Sequence, residues 1–593
     1  MNPPRQPSGP TSLLRDALMS QRPLMIQAAW ISVATGLLAL TPSWFMFEVY
    51  GRVLNSRNAT TLGMLVLMVL GVYVVMELLD LVRARALHRI GEQFEHKVRA
   101  RLFDVAFDAN LRRAPGGSPQ PFTDLKTVRD FISTPAVTAV LDTPAAAVCL
   151  LLLFAISPWL GVLALIGAML QAGLALLTEK RTMPLLTEAI QSSIQAQAYA
   201  NSTLRNTQVI ESMGMLGQIR ARWLRTQRRF LAKQAMASDY GGMTATTAKL
   251  IQTMQSSMLL GAACWVMLHD GLWGGAGMLI VASILGGRVL QPLAQLVSQW
   301  RLLIGARDAY ARLDQLLGKA PEKTDQMPLP APTGVLTAEN LVAGAPGAAA
   351  PILRGVTFNA RPGEVVAVIG PSAAGKSTLA RLLVGVWPAA AGKVRLDGAD
   401  IYAWNKAELG PHLGYLPQFV ELFDGTVAEN IARFGKVDMD KVREAAQLVG
   451  MTETIEALPQ GFETRIGDDG AVLSGGQRQR IGLARAAYGN PTFLVLDEPN
   501  ASLDEAGEKA LLQMLHALKA RRATVIAITH RTTLLPAADK LLVLNEGQVA
   551  SFGPRDEVLA ALKKANDQAR AQMEAIAQKA AAQRVQALPG SAA

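Results

Sequence analysis

Cysteine is scarce in this chain: its 593 residues include only two, Cys149 and Cys264, and both lie within apolar runs. Two such thiols exclude a disulfide framework and a cysteine-ligated zinc site. We expect no secretory signal peptide, because the first apolar run is too long and no small-residue cleavage site follows it. No repeat occurs at the spacing of solenoid proteins, which excludes a repeat architecture.

Acidic residues are outnumbered by basic ones, with 47 Asp and Glu against 58 Lys and Arg, and the net charge is +11. A basic protein can bind nucleic acid or an anionic membrane surface. Many of the basic residues here flank apolar segments, as they do at the cytoplasmic ends of membrane spans. We therefore predict contact with membrane lipid and no nucleic-acid partner.

Long apolar segments are abundant. Half of the residues are hydrophobic, and the excess lies almost entirely before residue 300. A helix needs about 20 residues to cross a bilayer, and the predicted spans are 24–47, 60–82, 135–156, 159–177, 249–268 and 274–297. The fifth is the least apolar, because its first half contains Gln252, Gln255, Ser256 and Ser257. Buried core helices are the alternative, disfavoured because the first four segments have no amphipathic stripe.

The hydrophilic connections alternate in length. Residues 83–134 and 179–248 form long connections rich in Arg and Lys, whereas the other three connections are short. The positive-inside rule places both long connections and the N-terminus in the cytoplasm. The turns near residues 115–124 and 201–206 are predicted to form the cytoplasmic tips of these connections.

A Pro-rich segment at 319–334 marks a domain boundary. After it, short Val, Ile and Leu runs alternate with helical stretches, which is typical of a soluble α/β domain. The end of the chain is rich in Ala, Gln, Lys and Arg and is predicted to be helical or disordered. The predicted organisation is a cytoplasmic segment at 1–23, a transmembrane domain at 24–318, a linker at 319–334, an α/β domain at 335–560 and a tail at 561–593.

The α/β domain contains a phosphate-binding loop. Gly370-x4-Gly375-Lys376-Ser377 follows the apolar run 365–369 and precedes a helical stretch, which is the context that the P-loop motif requires. Its N–H groups are expected to hold phosphates at a helix N-terminus, with Lys376 at the β- and γ-phosphates and Ser377 on Mg²⁺. The predicted ATP-binding residues are Gly370, Pro371, Ser372, Ala373, Ala374, Gly375, Lys376, Ser377 and Thr378.

Two carboxylates end a second apolar run. Asp497 and Glu498 follow residues 493–496. Beside a P-loop such a pair suits Mg²⁺ binding by Asp497 and proton abstraction from water by Glu498, whereas in isolation it could be a solvated acidic pair. His530 ends the run TVIAITH. A structural histidine is the commoner role at such a position, and contact with a γ-phosphate or orientation of the water is the functional one.

Together the motifs resemble an ATP-binding cassette domain over residues 335–557. The resemblance rests on Lys376, Gln418 in GYLPQ, the signature LSGGQ at 473–477, Asp497 with Glu498, SLD at 502–504 and His530. With six preceding spans, the chain resembles an ABC exporter half-transporter: a membrane α-helical domain of six transmembrane helices followed by an α/β P-loop cassette. The resemblance implies ATP hydrolysis coupled to transport, with catalytic Glu498, His530 and Gln418 and a Mg²⁺ held by Ser377, Gln418 and Asp497.

In this family the signature caps the γ-phosphate of ATP held on another cassette. The resemblance therefore implies a homodimer with two composite sites, each completed in trans by Ser474, Gly475, Gly476, Gln477 and Asp504. ATP and Mg²⁺ are the implied cofactors. The helix that follows the signature is predicted over residues 477–487.

One position departs from the family pattern. An aromatic residue usually stacks on adenine before the first P-loop strand, but no Phe, Tyr or Trp lies between Thr337 and Thr357, and Ala345 occupies the expected position. Stacking of a base on a ring contributes about 1–3 kcal/mol. We therefore expect a modest affinity for ATP or a weak discrimination against GTP.

The membrane half carries a narrower resemblance, to the permease/ATPase subunits of bacterial type I protein secretion. It rests on MFEVYGRVLNSRNATTL at 46–62, LDTP at 141–144, SPWLGVLALIGA at 157–168, VIESMGML at 209–216 and ASILGGRVLQPLAQLVSQW at 282–300. About 23 residues precede the first span, so the branch without an N-terminal peptidase-like domain is expected. The resemblance implies the bacterial inner membrane, a cytoplasmic cassette, a periplasmic membrane-fusion adaptor, an outer-membrane channel and a secreted protein with a C-terminal signal.

Two alternatives stay open at this point: an exporter of lipid or drug-like molecules, and a membrane-anchored ATPase with a regulatory or structural role. Within the spans, Asp142 and Arg288 are the clearest ionisable residues, and each is costly in contact with lipid. They are predicted either to line a polar cavity or to form an ion pair between the third and sixth spans.

Overall fold

The computed structural model describes residues 13–112, 118–269, 275–318, 327–345, 350–467, 473–564 and 568. The chain divides into two compact units, Met1–Glu322 and Lys323–Ala593. The division falls within the segment 319–334 that the sequence predicts to be a linker. Most of the predicted tail at 561–593 lies outside the described residues.

The first unit is helical. Its helices are α1 Leu13–Met19, α2 Arg22–Leu38, α3 Thr41–Glu48, α4 Leu54–Ser56, α5 Ala59–Leu111, α6 Gln120–Ile132, α7 Pro135–Ile156, α8 Pro158–Leu204, α9 Thr207–Ser212, α10 Leu216–His269, α11 Ala276–Ser298 and α12 Trp300–Gly318, with a π-helical segment at Val49–Val53 between α3 and α4. Helix α5 has 53 residues and α10 has 54. At about 1.5 Å per residue each is roughly 80 Å long, so each extends far beyond a bilayer core of about 30 Å.

Five helical segments of the described chain are long and apolar enough to cross a membrane: Arg22–Ser56, Ala59–Leu111, Gln120–Ile156, Pro158–Leu204 and Gly277–Ser298. They contain the predicted first, second, third and fourth spans and, from residue 277 onward, the predicted sixth. The predicted fifth span, 249–268, lies in α10, which is not among the five. Glutamines and serines in the first half of that stretch lower its hydropathy, so the six-span count stays a prediction.

The second unit is an α/β domain built on two sheets. A four-stranded antiparallel sheet has the order β2-β1-β4-β5, with β1 Leu336–Ala343, β2 Leu353–Ala360, β4 Ala391–Leu396 and β5 Ala399–Asp400. A six-stranded sheet has the order β10-β9-β3-β8-β7-β6, with β3 Val365–Ile369, β6 Leu413–Leu416, β7 Phe493–Asp497, β8 Thr524–Ile528, β9 Lys540–Asn545 and β10 Gln548–Pro554. Only β10 is antiparallel to its neighbour in this second sheet.

The helices of the second unit cover its sheets. They are α13 Lys376–Leu383, α14 Lys406–Leu409, α15 Val427–Ile431, α16 Met439–Leu448, α17 Thr452–Glu456, α18 Gly475–Ala487 and α19 Glu505–Ala520. Strand β3 is buried on both faces, because Val365 and Ala367 belong to one hydrophobic core and Val366 and Val368 to the other. Central strands of this kind are typical of a parallel sheet covered on both sides.

The strand order decides where the functional residues meet. Strands β3, β8 and β7 are consecutive and parallel, so their carboxyl ends lie at one edge of the sheet. The P-loop follows β3, His530 lies just beyond β8, and Asp497 ends β7. Ligands of open α/β sheets bind at this edge.

Candidate active site

Two glycines of the P-loop allow close approaches that a side chain would crowd. A Cβ on Gly370 would lie 2.2 Å from the carbonyl oxygen of Leu544, and one on Gly375 would lie 2.6 Å from Leu353 Cδ2. Gly375 also has φ +94°, in the left-handed region. The loop ends at Lys376, where α13 begins, so the free N–H groups of the first helical turn point at the loop. This arrangement fits the predicted phosphate site.

The side chain of Lys376 lies across the P-loop. Its Nζ donates hydrogen bonds to the carbonyl oxygens of Gly370 at 2.8 Å and Pro371 at 2.9 Å. The ammonium therefore already lies within the curve of the loop. A phosphate oxygen entering there would replace neutral carbonyls with a charged acceptor, which forms the stronger hydrogen bond.

Asp497 and Ser377 fit a Mg²⁺ ion. Asp497 is 2% exposed, and its Oδ1 has no hydrogen-bond partner within the described chain. Burial, and to a lesser extent the charge of Glu498, raise the pKa of the Asp497 carboxyl, while a hydrogen bond from Ser377 and the charges of Arg381 and Lys376 act in the opposite direction. A buried, unsatisfied carboxylate oxygen beside a hydroxyl supplies the hard oxygen ligands that Mg²⁺ prefers.

The remaining predicted metal ligand, Gln418, lies just after β6 and is half-buried. Strand β6 pairs with β7 in parallel, so Gln418 follows a strand that ends at the same edge of the sheet as Asp497. Among the described residues, no group of three or more His, Cys, Asp or Glu side chains could hold a metal ion.

Glu498 and His530 approach one another at the ends of β7 and β8. His530 Nδ1 lies 3.5 Å from Glu498 Oε1. The backbone of Glu498 is in the left-handed region with φ +52°, and its N–H donates to the carbonyl oxygen of Ile528 at 2.9 Å. This unusual backbone conformation turns the chain sharply at the end of β7, directly after the predicted metal ligand.

The signature residues form the start of α18. Ser474 and Gln477 form a capping box: Gln477 N–H donates to the Ser474 hydroxyl at 3.3 Å, and Ser474 N–H donates to Gln477 Oε1 at 2.9 Å. The helix begins at Gly475, two residues earlier than the predicted 477. A Cβ on Gly476 would lie 2.9 Å from the carbonyl oxygen of Ser502, so this glycine permits close packing within the chain.

Asp504 has a structural role within its own chain. Its carboxylate accepts a hydrogen bond from Gly507 N–H at 2.9 Å and thereby caps α19. It also lies 3.5 Å from Arg480 of α18. The predicted contact of Asp504 with ATP in trans stays a prediction.

Comparison with known proteins places both units in one family. Residues 24–272 match the ABC transporter transmembrane region, and residues 353–501 match the ABC transporter family. The type I secretion system ATP-binding protein PrsD of Rhizobium meliloti is 37% identical over 93% of this chain and 94% of its own. The chain belongs to the ABC exporters of type I secretion.

Further similarities differ in how much of each chain they cover. The cyclolysin secretion/processing ATP-binding protein CyaB of Bordetella pertussis is 30% identical over 92% of the exporter and 77% of its own length. The ATP-dependent lipid A-core flippase of Xanthomonas campestris is 32% identical, but over only 61% of each chain. A bacterial Atm1-family ABC exporter with ATP bound shares the fold, with a TM-score of 0.80 and 23% identity over 91% of this chain and 96% of its own.

Of the two roles predicted for the ionisable residues of the exporter's spans, the structure favours the polar cavity over the ion pair. Asp142 accepts from Arg83 at 2.7 Å, and Arg83 also lies 2.9 Å from Asp80. The ion pair therefore joins α5 to α7, and the alternative of an ion pair between Asp142 and Arg288 is not the one that forms. Arg288 instead donates to Gln291 at 3.3 Å. The cavity interpretation fits, because Asp142 and Arg288 line one polar cavity of about 290 Å³.

Sequence reasoning missed two polar residues of the cassette that bond to backbone carbonyls: Gln479, which is buried, and Arg433, which is half-buried. Gln479 lies on the inward face of α18 and donates to the backbone carbonyl oxygens of Glu498 and Pro499. Arg433 donates to five backbone carbonyl oxygens, those of Gly410, Leu413, Arg485, Ala486 and Tyr488. Helical spacing offered a signal for Gln479, since it shares a face with Leu483 and Ala486, which are buried. Nothing in the sequence pattern distinguished Arg433.

Proposed function

We propose that this exporter moves a polypeptide across the bacterial inner membrane and that the composite ATP sites of a homodimer drive the movement. The observation that carries the ATPase assignment is the meeting of the P-loop, Asp497, Glu498 and His530 at one edge of the sheet. Protein export is supported by similarity to PrsD over nearly the whole length of both chains.

ATP would bind with its phosphates in the P-loop. Mg²⁺ would lie between these phosphates and side chains of the cassette. Ser377 and Asp497, with Gln418, would hold Mg²⁺, which neutralises developing charge on the phosphates. Lys376 would contact the β- and γ-phosphates. Glu498 would accept a proton from the attacking water, and His530 would hold the Glu498 carboxylate in place and contact the γ-phosphate.

Each site would be completed by a second copy of the chain. One chain has one P-loop and one signature, and α18 presents the N–H groups of Gly475 and Gly476 together with the Ser474 hydroxyl at its N-terminus. Such an end binds anions. Two chains in head-to-tail arrangement would place each signature on the γ-phosphate held by the other, so that ATP closes the dimer and hydrolysis reopens it.

The distribution of basic residues and the family of the chain support the proposed placement in the membrane. Basic residues concentrate in the long connections, which we assign to the cytoplasm with both termini and the cassette. A periplasmic membrane-fusion adaptor and an outer-membrane channel would continue the route to the medium. The substrate would be a protein with a C-terminal signal.

Export of lipid is the second candidate, because the lipid A-core flippase is 32% identical over 366 residues. The two candidates differ in what stimulates ATP hydrolysis. We would measure hydrolysis by the purified exporter in lipid nanodiscs, with C-terminal segments of proteins encoded beside its gene or with lipopolysaccharide. Stimulation by such a segment alone supports protein export, whereas stimulation by lipopolysaccharide alone would replace it with the lipid candidate.

A further inference from the structure

Gln479 connects the signature helix to the backbone of the predicted general base. Its side chain, 4% exposed, extends from the second turn of α18. Nε2 donates to the carbonyl oxygen of Glu498 at 3.3 Å and to that of Pro499 at 3.2 Å. One amide group thus holds two consecutive carbonyls of the turn that follows β7.

The held turn is conformationally unusual. Glu498 has φ +52°, a region that a residue with a side chain adopts only where its surroundings enforce it. Besides Gln479, the Glu498 carbonyl accepts from Ala501 N–H at 3.1 Å, and the Glu498 N–H donates to Ile528 at 2.9 Å. The direction of the Glu498 carboxylate, 3.5 Å from His530, therefore depends on contacts that include Gln479.

The other end of the connection is the anion-binding start of the same helix. Ser474, Gly475 and Gly476 lie at the N-terminus of α18, five to three residues before Gln479. The helix is anchored by buried residues, among them Ile481 and Leu483. A packed helix moves as a unit, so a shift at its first turn moves Gln479 and, through it, the carbonyl of Glu498.

We infer that Gln479 is a positioning residue that couples the two composite ATP sites of the dimer. The inference rests on the proposed head-to-tail homodimer. There, the signature of one chain contacts the nucleotide on its partner, whereas Glu498 of that chain acts on its own nucleotide. Within one chain, Gln479 joins the signature to the backbone of Glu498. The general base of each chain therefore responds to whether nucleotide is bound at the P-loop of the partner chain. Coupling between sites is reciprocal.

The first test compares Gln479→Met, which preserves the length of the side chain but removes both donors, with the full-length parent in nanodiscs. The matched control is Gln447→Met, at an exposed glutamine on α16 of the same cassette. We expect Gln479→Met to lower the maximal hydrolysis rate several-fold and to bring the Hill coefficient for ATP close to one. ATP affinity and the melting temperature should match the control. A drop in ATP affinity or melting temperature with unchanged cooperativity would show a structural role instead.

The decisive test uses mixed dimers in which the partner carries Lys376→Ala and holds no ATP. The intact chain then has nucleotide on its P-loop but none on its signature, so its Glu498 is already mispositioned and Gln479→Met in that chain should cause no further loss. In a dimer with two working P-loops the same substitution should lower the rate several-fold. An equal fold-loss in both dimers would overturn the coupling. A parent dimer without hydrolysis would instead contradict the proposed function.

Discussion

His530 Nδ1 lies 3.5 Å from Glu498 Oε1 at the carboxyl edge of the cassette sheet. The histidine side chain is 54% exposed and the glutamate side chain 19%, so the imidazole is the more solvent-exposed member of the pair. The two residues follow neighbouring parallel strands: His530 follows β8 and Glu498 follows β7. This geometry suits a general base whose direction is fixed by a second side chain.

Replacing the base should separate ATP binding from hydrolysis. Glu498→Gln preserves the shape of the side chain but cannot accept a proton, so we expect turnover to fall by about 10²–10⁴-fold with ATP binding retained. The variant should also accumulate a closed dimer. Phosphate release and the oligomeric state with ATP would be measured on the same sample. Parental turnover by Glu498→Gln would remove Glu498 from the role of base.

Replacing Asp497, the predicted metal ligand, should weaken the binding of Mg²⁺ and leave the binding of ATP to the P-loop unchanged. Asp497→Asn removes the charge of a carboxylate whose Oδ1 has no hydrogen-bond partner among the described residues, so the Mg²⁺ concentration that half-saturates hydrolysis should rise. Binding of ATP in EDTA should stay close to that of the parent. Because the pKa of Asp497 is raised by burial, the parent should also lose Mg²⁺ affinity as the pH falls and the carboxyl takes up a proton. A Mg²⁺ requirement unchanged by the substitution would contradict this assignment.

Membrane topology can be read with thiol labelling. In a background without Cys149 and Cys264, a cysteine replacing Trp159, which is 67% exposed, should react with an impermeant reagent added outside the cell. The matched control is Ser118→Cys, in the first long connection, which should react only after permeabilisation. The short connections at 156–159 and 269–273 are both predicted to lie outside, and Asp270, in the second of them, is outside the described residues. Reaction of both sites from the same side would overturn the predicted topology.

Coupling between membrane and cassette should run through the tips of the long connections. Leu204, at the end of α8, and Phe419, beside Gln418, are 70% and 80% exposed. We predict that cysteines at these positions of the full-length protein crosslink between chains and that the crosslink blocks substrate-stimulated hydrolysis. A dimer of doubly and singly substituted chains identifies the chain of origin. Crosslinking only within one chain would exclude the intermolecular arrangement. Residues 468–470 of the cassette, which are also predicted to contact these tips, lie outside the described residues.

The cassette motifs were predictable because each depends on a local backbone requirement. The P-loop glycines permit approaches that a Cβ would block, and Asp497 and Glu498 follow a buried strand that the sequence already indicated. The predicted start of α18, at residue 477, is two residues later than the observed start. The spacing of Ser474 and Gln477 is a capping-box pattern, which explains the observed start at Gly475.

The contacts between distant elements were not predictable in this way. Asp142 lies 59 positions from its partner Arg83, and the sequence showed only that a buried charge needed compensation. Gln479 could be placed on the inward face of α18, but its acceptors are backbone carbonyls, which no residue type reveals. The predicted fifth span, 249–268, stays a prediction: α10 is long enough to cross a membrane, but the polar residues within 249–268 lower its hydropathy.

Protein export itself is tested most directly by the secreted proteins of cells that lack this exporter. The gene would be deleted and complemented with either the parent or Lys376→Ala, and proteins in the medium would be identified by mass spectrometry. We predict that at least one protein disappears from the medium on deletion, returns with the parent but not with Lys376→Ala, and is retained when its C-terminal segment is removed. An unchanged set of secreted proteins, with the parent fully expressed and hydrolysing ATP, would contradict the account.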